Sequence, residues 1–203
     1  MSDPFHILTS GLVVIDQDNV DTDQIVPARF MTTVSAQSLG AALFHDARRA
    51  LAGTHPLDLA DPQCQRILLA GRNFGCGSSR EHAVWAIADY GLRAILAPSI
   101  ADIFRGNALN NGLLAIDISD TLHERLIARP DSLVTIDLEN QRVSDDRGHQ
   151  EHFEIAPFAR HCLLRGMDRL DYLLSRRDHI QAYEHSHVSD RGTRTCRSDA
   201  YSA

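Results

Sequence analysis

Residues 67–82 read Ile-Leu-Leu-Ala-Gly-Arg-Asn-Phe-Gly-Cys-Gly-Ser-Ser-Arg-Glu-His, and the architecture turns on how they are interpreted. Ile67 to Ala70 is a short apolar run, the pattern of a strand buried on both faces. Glycines at 71, 75 and 77 make the next segment a loop, and Ser78-Ser79-Arg80-Glu81 opens a run of good helix formers ending near Tyr90. Strand, glycine loop and helix start together form an anion-binding device. Unpaired backbone N–H groups and the positive end of the helix dipole converge on one point. Glycine lets the backbone turn with positive φ and approach a ligand closely. Arg80 adds a planar donor fork matched to a carboxylate or phosphate.

A reading without any ligand competes. Ser78-x-x-Glu81 is also a capping box, with Ser78 as N-cap. The arginine between them tips the balance, because a cation in a first turn opposes the dipole. Something negative should sit against Arg80.

Working outward, Gly11 to Asp16 reads as a first strand, followed by an acidic turn with Asp16, Asp18, Asp21 and Asp23. An EF-hand is excluded: its sixth position would be Asp21 rather than glycine, and its twelfth Pro27 rather than glutamate. Turn formation and side-chain anchoring account for these aspartates. An amphipathic segment predicts a helix over 36–49, and residues 53–66, with Pro56 and Pro62, predict a loop. After the helix at 80–90, Gly91 is a stop, and Leu92 to Ala97 is a second apolar strand. A helix over 100–109, a strand over 113–118 and a helix over 121–128 follow. Strand and helix alternating at this spacing imply parallel strands with right-handed crossovers. From Ser132 the texture changes to short antiparallel strands at 133–138, 141–143 and 152–155. Pro157 starts a helix, and a last amphipathic helix is expected over 168–184. The fold class is α/β, with one domain over 1–184 and a polar, disordered tail over 185–203.

Composition narrows the function. The chain of 203 residues is 43% hydrophobic and 23% charged, ordinary for a soluble globular protein. No apolar run approaches the ~20 residues of a membrane span, and the N-terminus lacks the regions of a signal peptide, which favours the cytoplasm. A net charge of −7 argues against nucleic acid. Around the glycine loop, however, Arg72, Arg80, Arg93 and Arg105 outnumber Glu81, Asp89 and Asp102. The four cysteines, at 64, 76, 162 and 196, show no C-x-x-C pair, so neither a disulfide framework nor a metal or iron–sulfur site within this chain is indicated. All 20 basic residues are arginines, which excludes a Walker loop and lysine Schiff-base chemistry.

Two other sites fail on their own motifs. A dinucleotide fingerprint would need its third glycine where Arg80 stands, and an acid where the second strand ends in Ala97-Pro98. Gly77-Ser78-Ser79-Arg80 is not the G-x-S-x-G of a serine hydrolase. His82, four residues past Ser78, and Cys76, a small residue in a tight loop, both fit structural roles.

Residues 71–83 (Gly-Arg-Asn-Phe-Gly-Cys-Gly-Ser-Ser-Arg-Glu-His-Ala) closely resemble the signature of the small subunits of 3-isopropylmalate dehydratase, in the aconitase superfamily. Residues 19–27 (Asn-Val-Asp-Thr-Asp-Gln-Ile-Val-Pro) look like that family's early segment. Residues 97–114 (Ala-Pro-Ser-Ile-Ala-Asp-Ile-Phe-Arg-Gly-Asn-Ala-Leu-Asn-Asn-Gly-Leu-Leu) resemble its third. Order and spacing fit across residues 7–184.

The resemblance implies a swivel domain of layered β/β/α form, with a central parallel sheet and a smaller antiparallel one. It implies a large-subunit partner carrying a [4Fe–4S] cluster, with no cofactor on this chain. It implies Ser78 as catalytic base, Ser79 and Arg80 as holders of a substrate carboxylate, and Gly77, Asp23 and Arg29 as further substrate-binding residues. The implied reaction isomerises 2-isopropylmalate to 3-isopropylmalate through 2-isopropylmaleate, in leucine biosynthesis. Some relatives carry a basic residue directly after the proline, where this chain has Ala28, so Arg29 stands in only by proximity. The motifs read a shared carboxylate, and a paralogous subunit acting on citraconate or a homoaconitate-type substrate carries the same ones. A non-catalytic anion sensor is the alternative from another class. Substrate choice is expected in residues 30–50.

Overall fold

The computed structural model describes residues 3–31 and 38–191. Among the described residues, eight strands form two sheets of four. β2 (Leu12–Ile15), β3 (Ile67–Ala70), β4 (Ala94–Ala97) and β5 (Leu114–Asp117) lie side by side in chain order, all parallel, with Leu12 opposite Ile67, Ile67 opposite Ala94, and Ala94 opposite Leu114. β1 (Ile7–Ser10), β6 (Val134–Asp137), β7 (Arg142–Asp145) and β8 (Gln150–His152) form an antiparallel sheet in that order.

Apolar residues at every position of β3 and β4 are what a sheet covered on both faces requires. Alternation divides them. Ile67, Leu69, Ala94, Leu96, Leu114 and Ile116 share a core with Val134, Ile136 and Val143 of the antiparallel sheet. Leu68, Ala70, Ile95, Ala97 and Ala115 face the other way, onto α4 (Glu81–Tyr90) and α5 (Asp102–Asn110), through Val84, Ile87, Phe104 and Ala108. The result is the layered β/β/α arrangement expected. Each fully buried Leu or Ile contributes roughly 1.5–3 kcal/mol, so these two cores fix both faces of the parallel sheet.

Several boundaries differ from expectation, each for a local reason. The first strand is two strands: β1 belongs to one sheet and β2 to the other, with Gly11 as the crossing point. A Cβ there would stand 3.3 Å from the Cys64 carbonyl oxygen, to which the Gly11 N–H donates at 2.9 Å. The helix expected over 36–49 begins outside the described residues. Within them it is a 3₁₀ turn (Gly40–Ala42) and a short helix α2 (His45–Ala50), interrupted because Phe44 adopts a left-handed φ of 48°. The loop over 53–66 contains α3 (Pro56–Leu59), whose N-cap is His55. The last antiparallel strand is Gln150–His152 rather than 152–155. α6 (Asp120–Ile127) and α7 (Pro157–Arg165) complete this part of the chain, together with α1 (Thr22–Ile25).

The chain divides into two compact units, the first ending at Asp168 and the second starting at Arg169. The second holds two helices, α8 (Arg169–Ser175) and α9 (Arg177–Arg191), where one was expected. α9 continues through residues 185–191, where the disordered tail was expected to begin.

Candidate active site

Three connections meet at the carboxyl ends of β2, β3 and β4, and they carry the three motifs. The loop after β3 is stitched to both neighbours. On one side, Asn19 N–H donates to the Arg72 carbonyl at 2.8 Å, Gly75 N–H to Val20 at 2.8 Å and Thr22 N–H to Cys76 at 3.1 Å. On the other, Phe74 N–H donates to the Ser99 carbonyl at 3.1 Å and Ala101 N–H to Phe74 at 2.9 Å. The side chain of Phe74 is fully buried and meets Phe104 edge to face at 5.4 Å. Gly75 is obligatory here. Its φ is +74°, and a Cβ would fall 2.3 Å from Cγ of Phe104.

The acidic turn supplies fastenings, as its composition predicts. Asp18 accepts the Arg72 N–H at 2.6 Å, and Asp21 caps α1 by accepting the Gln24 N–H at 2.7 Å. Asn19 and Asn73 both take positive φ, and their amides pair at 2.9 Å. The backbone is strained where the two loops touch, and these bonds hold it there.

The helix start corrects the capping reading. α4 begins at Glu81, its N-cap is Arg80, and no side chain caps it. Ser78 is therefore not the cap. Its carbonyl accepts from Arg80 N–H at 2.7 Å and from the Thr22 hydroxyl at 3.2 Å, and its own hydroxyl bonds to none of the described residues. Glu81 does not turn back to form a capping box. It accepts from Asn111 Nδ2 at 2.6 Å, and Asn111 in turn accepts from Trp85 Nε1 at 3.0 Å. The second motif is thereby clamped to the third. His82 lies against the Trp85 ring at 4.8 Å.

Gly77, with φ of +90°, Ser78 and Ser79 are exposed, and their backbone N–H groups find no acceptor among the described residues. They sit just ahead of a ten-residue helix, at the positive end of its dipole. An anion seated there meets three open donors, two hydroxyls and Arg80.

An anionic guest was expected against Arg80; within the chain its partner is Asp23. Nη1 of Arg80 donates to its Oδ1, while Asp23 itself lies in the first turn of α1. Arg29 is held more fully. Its Nη1 donates to Oδ2 of Asp46 at 3.0 Å, and its Nη2 donates both to Oδ1 of Asp46 and to His45 Nδ1, the latter at 3.1 Å. The hydrogen bond from Arg29, reinforced by His45, holds the Asp46 carboxyl down at about 2, and Asp46 raises the Arg29 guanidinium above its ordinary value.

Asp23 and Asp46 line one cavity of about 280 Å³, with Asp21, Gln24, Phe44 and His55. The arginines themselves are not among its lining residues; their carboxylate partners are. His55 is buried against Phe44, and burial lowers its basicity. Ser78, Ser79, Gly77, Arg80 and Asp23 belong to one loop cluster; among the described residues Arg29 is not bonded to it, and only its partner Asp46 lines the cavity that Asp23 also lines. Sequence reasoning missed Asp46 and His45. An acid in the first turn of a helix starting at His45 was the available signal, hidden because one longer helix was expected there.

A family model described as the Aconitase C-terminal domain matches residues 5–121, and one described as LeuD_N matches residues 120–157. The 3-isopropylmalate dehydratase small subunit of Chloroflexus aurantiacus is 46% identical over 200 residues, covering 95% of this chain and all of that protein. The subunit of the same name from Anaeromyxobacter dehalogenans is 47% identical over 186 residues, covering 90% and 97%. The crystal structure of 3-isopropylmalate dehydratase from Methanocaldococcus jannaschii superposes with a TM-score of 0.67 at 28% identity, covering 88% of this chain and 99% of that one.

Proposed function

The chain belongs to the aconitase C-terminal domain family as a 3-isopropylmalate dehydratase small subunit, and on that premise we propose that Ser78 is the base of the isomerisation, with Ser79 and Arg80 holding a substrate carboxylate. The reaction removes a proton from the carbon beside a carboxylate and hydroxide from the neighbouring carbon. Water then adds back to 2-isopropylmaleate with the two positions exchanged, giving 3-isopropylmalate from 2-isopropylmalate.

Such a proton is weakly acidic, so the base must be strong. A serine alkoxide serves only where fixed donors stabilise its charge. The observation that carries the assignment is an unbonded Ser78 hydroxyl among the open N–H groups of Gly77, Ser78 and Ser79, at the dipole end of α4. Arg80 contributes its fork. Asp23 takes a single bond on Nη1, which fixes the guanidinium and leaves the edge formed by Nε and Nη2 for a bidentate carboxylate. Asp23, expected to touch substrate, is better placed to aim Arg80, since a carboxylate beside a dianion is repulsive.

The second half of the site comes from the large subunit. A [4Fe–4S] cluster, expected on that partner, supplies the Lewis acid for the substrate hydroxyl. Among the described residues no three His, Cys, Asp or Glu side chains are grouped to hold a metal ion. No described helix is long and apolar enough to cross a membrane. The test is turnover of 2-isopropylmalate, with citraconate as comparison, by the subunit reconstituted with its partner. Ser78→Ala should assemble and be nearly inactive. Retention of more than about a tenth of the wild-type rate is too much for a lost base.

A further inference from the structure

Arg29 presents a physical puzzle. Its side chain is 54% exposed, yet three groups immobilise it: Asp46 by two bonds, His45 by one, and Phe30, whose ring centre lies 4.9 Å from the guanidinium carbon. His45 packs on the same Phe30 ring at 4.7 Å. An exposed ion pair contributes little to stability, and holding a long side chain in one rotamer costs entropy. Three contacts on one solvent-facing guanidinium are therefore poorly explained by folding. They are well explained by preorganisation, in which the conformational cost is met before a ligand arrives.

We propose that Asp46 is a positioning residue of the reaction, acting through Arg29. The proposal rests on the reading of Arg29 as a substrate contact. Asp46 lines the same cavity as Asp23, which holds Arg80, so each of the two carboxylates at this cavity fixes one guanidinium. A bond between Phe44 N–H and the Ile25 carbonyl, 2.8 Å, joins α2 to α1, which fixes the two holders against each other. The carboxylate is ionised at neutral pH in any case, and the bond from Arg29 lowers it further. Asp46 takes the Nη1–Nη2 end of the Arg29 fork and His45 the remaining hydrogen of Nη2, so among the described residues only the Nε–H is left for a substrate carboxylate. Asp46 lies within residues 30–50, where substrate choice was expected, while Arg29 itself stands just before them.

Kinetics of the reconstituted complex with 2-isopropylmalate test this in four forms: wild type, Arg29→Ala, Asp46→Asn and the double variant. Asp46→Asn should raise KM about tenfold and leave kcat within about twofold, the signature of lost ground-state binding. Its melting temperature and its assembly with the large subunit should match wild type. In the Arg29→Ala background the same substitution should change KM no further. If Arg29→Ala raises KM and Asp46→Asn leaves it unchanged or lowers it, Asp46 is no positioning residue and the inference fails alone. If Asp46→Asn still raises KM in the Arg29→Ala background, it acts by another route and the inference is overturned. If Arg29→Ala itself leaves KM unchanged, the substrate role of Arg29 falls and the inference with it.

Discussion

The two ends of the β-structure are built to opposite specifications. In the antiparallel sheet every strand is paired in register, the inner face is closed over Val134, Ile136 and Val143, and positive φ falls at hairpin turns, on Gln141 and Gly148. At the carboxyl ends of β2, β3 and β4 the backbone takes positive φ at Asn19, Asn73, Gly75 and Gly77, and Ser78 and Ser79 keep their donors open. One region pairs its strands in a regular ladder, while the other leaves the N–H groups of Gly77, Ser78 and Ser79 without an acceptor among the described residues. Capacity left unspent on exposed, braced backbone is capacity for a ligand.

The largest effect that would break this contrast is on turnover. Ser78→Ala should lose roughly 10²–10⁴-fold in kcat. With no capping bond to lose, it should cost less than about 0.5 kcal/mol of stability. Thermal melts beside kinetics decide it, and a large drop in melting temperature would return Ser78 to a structural role. Ile136→Ala, in the fully buried core between the sheets, should behave in reverse. It should cost about 2–5 kcal/mol in a urea titration, while kcat per folded complex stays near wild type.

Arg80→Lys sharpens the comparison within the site. Lysine keeps a positive charge for Asp23 and loses the planar fork. The expected result is a fall of about ten- to a hundredfold in kcat/KM, shared between KM and kcat. Full activity in this variant would show that point charge suffices.

Much of the fold could be read from residue pattern, because the parallel strands are apolar at nearly every position and are punctuated by Gly91, Asn111 and Gly112. The change of texture at Ser132 announced the antiparallel strands, while the layered arrangement was what the family resemblance implied. What the pattern concealed was set by tertiary contacts. Gly11 looks like the start of one strand, and only the Cys64 carbonyl beside it shows that two sheets part there. Phe44 has no residue-level reason to be left-handed; its N–H bond to Ile25 and its buried ring hold it so. In the site, Ser78, Ser79 and Arg80 were found by motif. The partners Asp23 and Asp46 lie 57 and 17 residues from the arginines they hold, and no local spacing reports such pairings. Ser78-x-x-Glu81 misled because Asn111, from the third motif, outcompetes the local cap for Glu81.

The smallest effect lies in the closed region and concerns acid. Asp145 ends β7, and its side chain is 3% exposed. Burial, the largest single influence, pushes its carboxyl up. The bonds from Arg125 and from the N–H groups of His149 and Arg147 outweigh it, so the net value lies below the ordinary 3.8. These bonds, 3.0 Å from Arg125, 2.9 Å from His149 and 3.0 Å from Arg147, close the turn into β8. A carboxyl depressed in the folded state stabilises the protein fully above its unfolded value, and that contribution fades as pH falls through the folded value. Asp145→Asn should therefore be less stable than wild type by about 1 kcal/mol at pH 7. The gap should persist down to about pH 5 and narrow as the pH drops below 3.8, since asparagine does not titrate. Paired melts from pH 7 to pH 3 measure it. A gap constant across that range would mean that Asp145 holds its turn by shape alone, with its charge contributing nothing. Catalytic constants of the reconstituted complex at pH 7 should not move at all, because this carboxylate is bonded within the turn into β8 and touches none of the candidate site residues.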